Sequence, residues 1–373
     1  MNTGILHYSV PPVIGGVESV IQAHARQFAA HGLPLKVLAG RGDPSALAEG
    51  VQGVLIPELD TLHPEICAVS AVLDTGIIPE QFDGLVERIA AALRPHVVDL
   101  DVLIVHNVLT KHFNLPLTAA LFRLMDSGEL KHVVAWCHDL TWTSVSSRHK
   151  VYERYPWNLL KTPSERVRYV AISLLRQKEV CDSFGLPAEA VEIIYNGVDP
   201  SGLLGLSPEG AQLAERLDLW NADLAFLMPV RVTRAKNVEF ALEFTAELKK
   251  LDLDPRVILT GPPDPHSEDS LAYYRGLLQQ RRELGVEKEF RFVYESGPDA
   301  AQPYTIDEKI VSELFRVCDV MFMPSLREGF GMPVLEAGLS GMPVLCSNVP
   351  AAMEIALEDV FVFSLHSTDA ARL

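Results

Sequence analysis

Cysteine is scarce and unpaired in this sequence. Five residues, Cys67, Cys137, Cys181, Cys318 and Cys346, are scattered over 373 positions with no Cys-x-x-Cys pair. That argues against a disulfide framework and against a thiolate zinc site. No stretch of about 20 apolar residues occurs, so no segment reads as a membrane-spanning helix. The start, Met1 to Ser9, lacks the basic and apolar regions of a signal peptide. A soluble, reducing, cytoplasmic setting is the expectation. Cations are also in deficit: 32 Lys and Arg stand against 49 Asp and Glu, a net charge of −17. So acidic a chain is a poor general binder of nucleic acid, because phosphate contacts need clustered Lys and Arg. The G-x-G-x-x-G fingerprint is missing, which removes most support from an NAD- or flavin-dependent enzyme. No tight cluster of Asp, Cys or His suits a divalent ion, so no metal is expected.

What is present is an ordinary globular balance, 48% hydrophobic and 22% charged. At roughly 150 residues per domain the length suggests two domains. Short β-branched runs alternate with helical patterns. Gly4–Tyr8, Leu35–Leu38, Val102–His106, Val133–Trp136 and Tyr169–Ile172 read as buried parallel strands in the first half. Ala225–Met228, Val257–Leu259, Phe290–Val293, Val320–Met323 and Pro343–Cys346 repeat the design in the second. Between the first two runs, Val17, Val20, Ile21, His24 and Phe28 share a helical face, and Gly32 closes the helix. The pattern predicts α/β architecture with two doubly wound parallel sheets. The boundary falls at Asn196–Gly202, giving domains 1–198 and 199–373. Asp43–Thr75 has weak periodicity and reads as loops and short elements. Thr260–Ser270 reads as a long polar loop.

Four constellations carry candidate chemistry. Gly15-Gly16 joins a strand to a helix, where backbone N–H groups offer an anion site or simply make a tight turn. Arg231 and Lys236 follow a strand end, with Arg234 between them. Together they can neutralise a diphosphate or form a solvated basic turn. Cations at a helix start oppose its dipole, which points to a compensating anion. The most specific block runs from Ser325 to Ala337. Glu328 and Glu336 are separated by seven residues, and Gly329 and Gly331 flank Phe330. Two carboxylates so placed can accept hydrogen bonds from hydroxyls at two points of one extended ligand. His138-Asp139 ends a strand of the first half, at the ligand edge or as a structural pair.

These blocks, with Ser173 in Val-Ala-Ile-Ser and Asn196-Gly197-Val198-Asp199, occur in an order that resembles the retaining glycosyltransferases of family 4. The resemblance covers nearly the whole chain. It implies the GT-B fold, two Rossmann-like domains facing a central cleft, the first for the acceptor and the second for a nucleotide-sugar donor. It implies that Arg231 and Lys236 grip the donor diphosphate and that Glu336 binds the ribose. Glu328 and the backbone of Gly329, Phe330 and Gly331 would hold the sugar. Gly15 and Gly16 would approach the diphosphate or the acceptor, and His138 the anomeric carbon or sugar hydroxyls. The activity implied is metal-independent transfer of a hexose with retention, from a donor of UDP-glucose or GDP-mannose type. The acceptor would be a sugar, small polyol or lipid-linked hydroxyl. The alternative is a non-catalytic sugar-nucleotide-binding or partner protein of a glycan assembly system. Two departures stand out. Val230 replaces a Gly common before the first cation. The strand region and terminal helices that usually follow Ile355 are expected to be truncated. Finally, residues 148–178 carry eight cations against Glu153 and Glu165. They form either a solvated connection or a docking face for an anionic acceptor or the inner membrane surface.

Overall fold

A computed structural model describes residues 1–264, 269–299, 301–356, 360–365 and 370. The chain divides into two compact units, Met1–Val198 and Asp199–Leu373. The first carries strands β1 (Thr3–Leu6), β2 (Leu35–Ala39), β3 (Gln52–Leu55), β4 (Val102–His106), β5 (Val133–Cys137), β6 (Val167–Ala171) and β7 (Val191–Ile193). Its helices are α1 (Gly16–Ala30), α2 (Pro64–Leu73), α3 (Phe82–Val97), α4 (Leu115–Asp126) and α5 (Leu174–Phe184). All strand pairs are parallel, in the order β3-β2-β1-β4-β5-β6-β7.

Successive side chains of a strand point to opposite faces, so a strand covered on both sides has no polar alternation. β1 shows this directly. Ile5 packs with Ile21 and Ala25 of α1, whereas its neighbour Leu6 joins the cluster that holds Leu85 and Ile89 of α3. Val17 and Phe28 of α1 support the first of these clusters. His24 leaves that apolar face for aromatic contacts described below. Gly32 follows the helix at φ +64°, a left-handed position that favours glycine.

The second unit carries β8 (Leu224–Met228), β9 (Pro255–Leu259), β10 (Phe290–Phe292), β11 (Val320–Met323), β12 (Val344–Ser347) and β13 (Phe361–Phe363). Around them lie α6 (Pro200–Leu203), α7 (Pro208–Arg216), α8 (Val238–Lys250), α9 (Ser270–Glu283), α10 (Glu308–Val317), α11 (Met332–Ser340) and α12 (Pro350–Ala356). The order is β10-β9-β8-β11-β12-β13, again parallel. Phe226 and Leu227 of β8 fall in separate clusters on the two faces.

Two regions differ from the sequence expectation. Asp43–Thr75 holds β3 and α2 as well as short turns. β3 is a four-residue edge strand with no buried position, so it has no apolar pattern to detect. A strand also forms past Ile355, where β13 pairs with β12. Of the Thr260–Ser270 loop, residues 265–268 lie outside the described residues. No helix among the described residues is long and apolar enough to cross a membrane.

Both sheets reverse their strand order between the first and fourth strand, at β1/β4 and at β8/β11. In doubly wound sheets the crevice for a ligand lies outside the carboxyl ends of the strands at that reversal.

Candidate functional site

In the second unit the reversal point is a charged corner. The segment after β8 turns through Arg234–Lys236 into α8, with Asn237 left-handed at φ +51°. The segment after β11 runs beside it, and the Leu326 amide donates to the Ala235 carbonyl at 2.8 Å. This join brings Lys236 Nζ to 2.6 and 2.7 Å from the two oxygens of Glu328. Ser325 Oγ donates to Glu328 Oε1 at 2.6 Å, and the Ser325 carbonyl accepts from Ser347 Oγ of β12. The Glu328 side chain is only 6% exposed. Its carboxylate is the anion that compensates the cation at the start of α8. Arg231 points to solvent, and among the described residues its guanidinium has no partner. Its backbone is held from behind: the Gly261 amide donates to Val230 O, and a Cβ on Gly261 would come within 2.5 Å of that oxygen. Arg234 lies over the Tyr273 ring, 4.5 Å from its centroid. Gly331 sits at φ +96° before α11, while Gly329 has open space where a Cβ would stand. Phe330 between them is exposed. Glu336, on α11, lines a cleft of about 610 Å³ with Pro229, Ile306, Phe315 and Met332. Among the described residues its carboxylate has no partner.

In the first unit the reversal point is a cluster of histidines. His106 ends β4, and His7 and His138 directly follow β1 and β5. His7 Nδ1 donates to the His106 carbonyl at 2.9 Å, and His106 Nδ1 lies 2.9 Å from His138 Nε2. His24 of α1 packs against His106 and Trp136. Burial holds His7, His24 and His106 below the ordinary imidazole range, His106 most strongly. Burial, with His7 and His24 nearby, lowers His138 to about 4. Asn107 takes the left-handed turn after β4 at φ +61°, and its Oδ1 accepts the amides of both His138 and Asp139. Lys111 then pairs with Asp139 at 2.8 Å. Gly15 precedes α1 without a side-chain cap. A Cβ there would meet Glu18 Oε2 at 2.0 Å, because the Glu18 carboxylate lies against it and accepts from Ser9 Oγ. The start of α1 thus already faces a carboxylate of its own chain.

Residues 14–201 match the family described as Glycosyltransferase Family 4, and residues 212–372 match Glycosyl transferases group 1. The chain belongs to glycosyltransferase family 4. Its two doubly wound units are those of the GT-B class. It is similar to the mannosylglucosylglycerate synthase of Petrotoga mobilis, at 24% identity over 68% of this chain and 60% of that protein. It is also similar to the D-inositol 3-phosphate glycosyltransferase of Nocardia farcinica, at 27% over 50% of this chain and 38% of that one. The chain therefore spans less than two thirds of the length of these curated relatives. Among solved structures it aligns with Anabaena HepE in complex with UDP and glucose. That alignment has 19% identity and a TM-score of 0.36, over 99% of this chain and 87% of that one.

Within this family 4 chain the structure brings Lys236 and Glu328 into contact and leaves Arg231 and Glu336 open nearby in sequence. It separates Arg234 onto Tyr273. Ser173 caps α5 and Asp199 caps α6, so both are structural. The basic stretch is half consumed inside the first unit. Lys150 pairs with Asp74 at 2.6 Å, and Lys161 pairs with Glu153. Arg154 donates to the Gly76 carbonyl, and Arg176 pairs with Glu179. Arg148, Arg166, Arg168 and Lys178 are exposed. Sequence reasoning missed His7, Glu18 and His106, and it named Ser325 only as the first residue of its block. His7 and His106 gave only the signal of a position at or just past the carboxyl end of a strand. Glu18 had a weaker signal, an acid three residues after a helix N-cap. Ser325 had no signal for its role beyond its place in that block.

Proposed function

We propose that this chain is a retaining glycosyltransferase that moves a hexose from a nucleotide-sugar donor, of UDP-glucose or GDP-mannose type, to a hydroxyl acceptor. The observation that carries this reading is the Lys236–Glu328–Ser325 corner at the β8/β11 reversal. An ammonium has three donors and Glu328 takes two, so one remains for a phosphate oxygen. Arg231 supplies a second, forked cation. The free Glu336 carboxylate beside its cleft suits ribose hydroxyls. Glu328 keeps one acceptor site on Oε2 for a sugar hydroxyl, with the backbone of Gly329, Phe330 and Gly331 alongside. Gly15 and Gly16 are assigned to the acceptor, since the Glu18 carboxylate against Gly15 disfavours a diphosphate there, and His138 is assigned to the anomeric carbon or sugar hydroxyls. The first unit is assigned the acceptor and the second the donor. The name of the inositol phosphate relative supports a polyol acceptor.

Chemically, the bond from the anomeric carbon to the diphosphate oxygen breaks as negative charge gathers on that oxygen. Arg231, Lys236 and the positive end of α11 stabilise this charge in place of a metal ion. The acceptor hydroxyl attacks the same face of an oxocarbenium-like centre and gives its proton to the departing phosphate, so no protein nucleophile takes part. Calorimetric titration with UDP-glucose and GDP-mannose tests the assignment. Losing one charge-assisted bond, at about 1.5–3 kcal/mol, should weaken binding roughly tenfold to a hundredfold in Arg231→Ala. Glu336→Gln should weaken it less. Wild-type affinity in both variants overturns the site. Transfer that survives EDTA and keeps the anomeric configuration supports the mechanism. Binding without turnover of any donor assigns the chain to the non-catalytic class.

A further inference from the structure

We propose that His106 is a positioning residue that fixes His138 in its Nδ1–H tautomer, so that His138 meets a ligand as a neutral hydrogen-bond donor. The inference rests on the transferase reading only for the identity of that ligand. His106 is completely buried, and among the described residues its ring makes one hydrogen bond, with His138 Nε2 at 2.9 Å. Its other nitrogen, Nε2, is buried with no partner among the described residues. Two proton arrangements satisfy the contact. If His138 Nε2–H donates, His106 must carry its own proton on Nε2, as a buried N–H with no acceptor. If His106 Nδ1–H donates, the orphan is only a lone pair. Buried N–H groups without partners are the rarer and costlier defect. The second arrangement leaves His138 protonated on Nδ1.

The surroundings hold this choice in place. The His106 carbonyl is fixed by His7 Nδ1, and Trp136 packs near its ring with 5.7 Å between centroids. The His138 main chain is fixed separately by Asn107. Among the described residues His138 Nδ1 has no partner, and it is not buried, so it reaches solvent at the carboxyl edge of the sheet. Its lowered pKa keeps the ring neutral at pH 7, which makes the tautomer meaningful. A base at this position would present a bare nitrogen; this geometry presents a proton.

Long-range ¹H–¹⁵N spectra of the full chain labelled in histidine read the tautomer directly, without any substrate. The His138 signal is assigned by its loss in His138→Asn. At pH 7.5 the wild type should show the Nδ1–H pattern. His106→Leu should lose it in favour of Nε2–H. His106→Asn, whose amide can donate from nearly the same place, should restore it. An Nε2–H pattern in the wild type overturns the proposal, even if His106→Leu does not fold. So does an Nδ1–H pattern that survives in folded His106→Leu. Because the readout needs no donor, a failed tautomer and a failed transferase reading give different results.

Discussion

The two units share one topology and place opposite chemistry at the same point of it. At β1/β4 the first unit buries neutral imidazoles against one another. At β8/β11 the second brings a cation and a carboxylate together. The reversal of strand order therefore fixes where a crevice can form, and the residues at the strand ends decide what it does. In both units the start of the following helix is already answered by the chain's own carboxylate, Glu18 in one and Glu328 in the other. In the first the carboxylate lies on a glycine. In the second it reaches a lysine.

Acid should separate the units most sharply. His112 and His138 are both lowered to about 4, His112 chiefly by burial, and His7, His24 and His106 are lowered with them. A histidine held neutral on folding binds fewer protons than in the unfolded chain. Stability is then full above pH 6.5 and falls as pH drops toward 4. A shift of that size corresponds to about 3 kcal/mol for buried His112, less for the partly exposed His138. Among its described residues the second unit has no histidine to open such a window. Its Asp254 is held down to about 2 by Arg256 and Lys288, so that contribution is lost only below about pH 4. Three of the four tryptophans, Trp136, Trp142 and Trp157, lie in the first unit. In a Trp220→Phe background, the urea midpoint by tryptophan fluorescence should fall between pH 7 and 5. A midpoint that holds across this range breaks the comparison.

A smaller effect should appear in the second unit. Lys236→Ala leaves the Glu328 carboxylate facing Ser325 alone. We expect a loss of about 2 kcal/mol, below the usual cost of breaking a fully buried pair because Lys236 is partly exposed. Lys236→Ala with Glu328→Gln should recover most of it in thermal denaturation. If the double variant is no more stable than the single one, the pair is not what stabilises this corner. The smallest change is Gly15→Ala. It should cost about 1 kcal/mol by pushing the Glu18 carboxylate off its seat near Ser9. Gly16→Ala, with open space at its Cβ, should cost nothing by the same measurement.

Most of the frame was legible because its strands are fully buried and its helices have clear stops such as Gly32. β3 was not, since an edge strand of Gln52–Leu55 has neither alternation nor an apolar run. At the site, the Glu328 and Glu336 spacing and the paired cations could be read from sequence. Their partnership could not: Lys236 and Glu328 are 92 positions apart, and only the pairing of β8 with β11 joins them. The histidine cluster was half visible. His138 stood out beside Asp139, whereas His7 and His106 look like ordinary strand ends until the three strands are laid side by side.

The Lys236–Glu328 contact also bears on how quickly an anion can arrive. Its two charges cancel beyond a few ångströms, so this corner casts little field into solution. The chain as a whole carries −17. On the proposed reading, an approaching diphosphate is repelled at long range and attracted only close in, by Arg231 and by the one donor of Lys236 that Glu328 leaves open. Encounter should quicken as added salt screens the repulsion, the reverse of an electrostatically steered site. Selectivity among anions then rests on the last few ångströms, where the third donor of the lysine and the guanidinium come within reach.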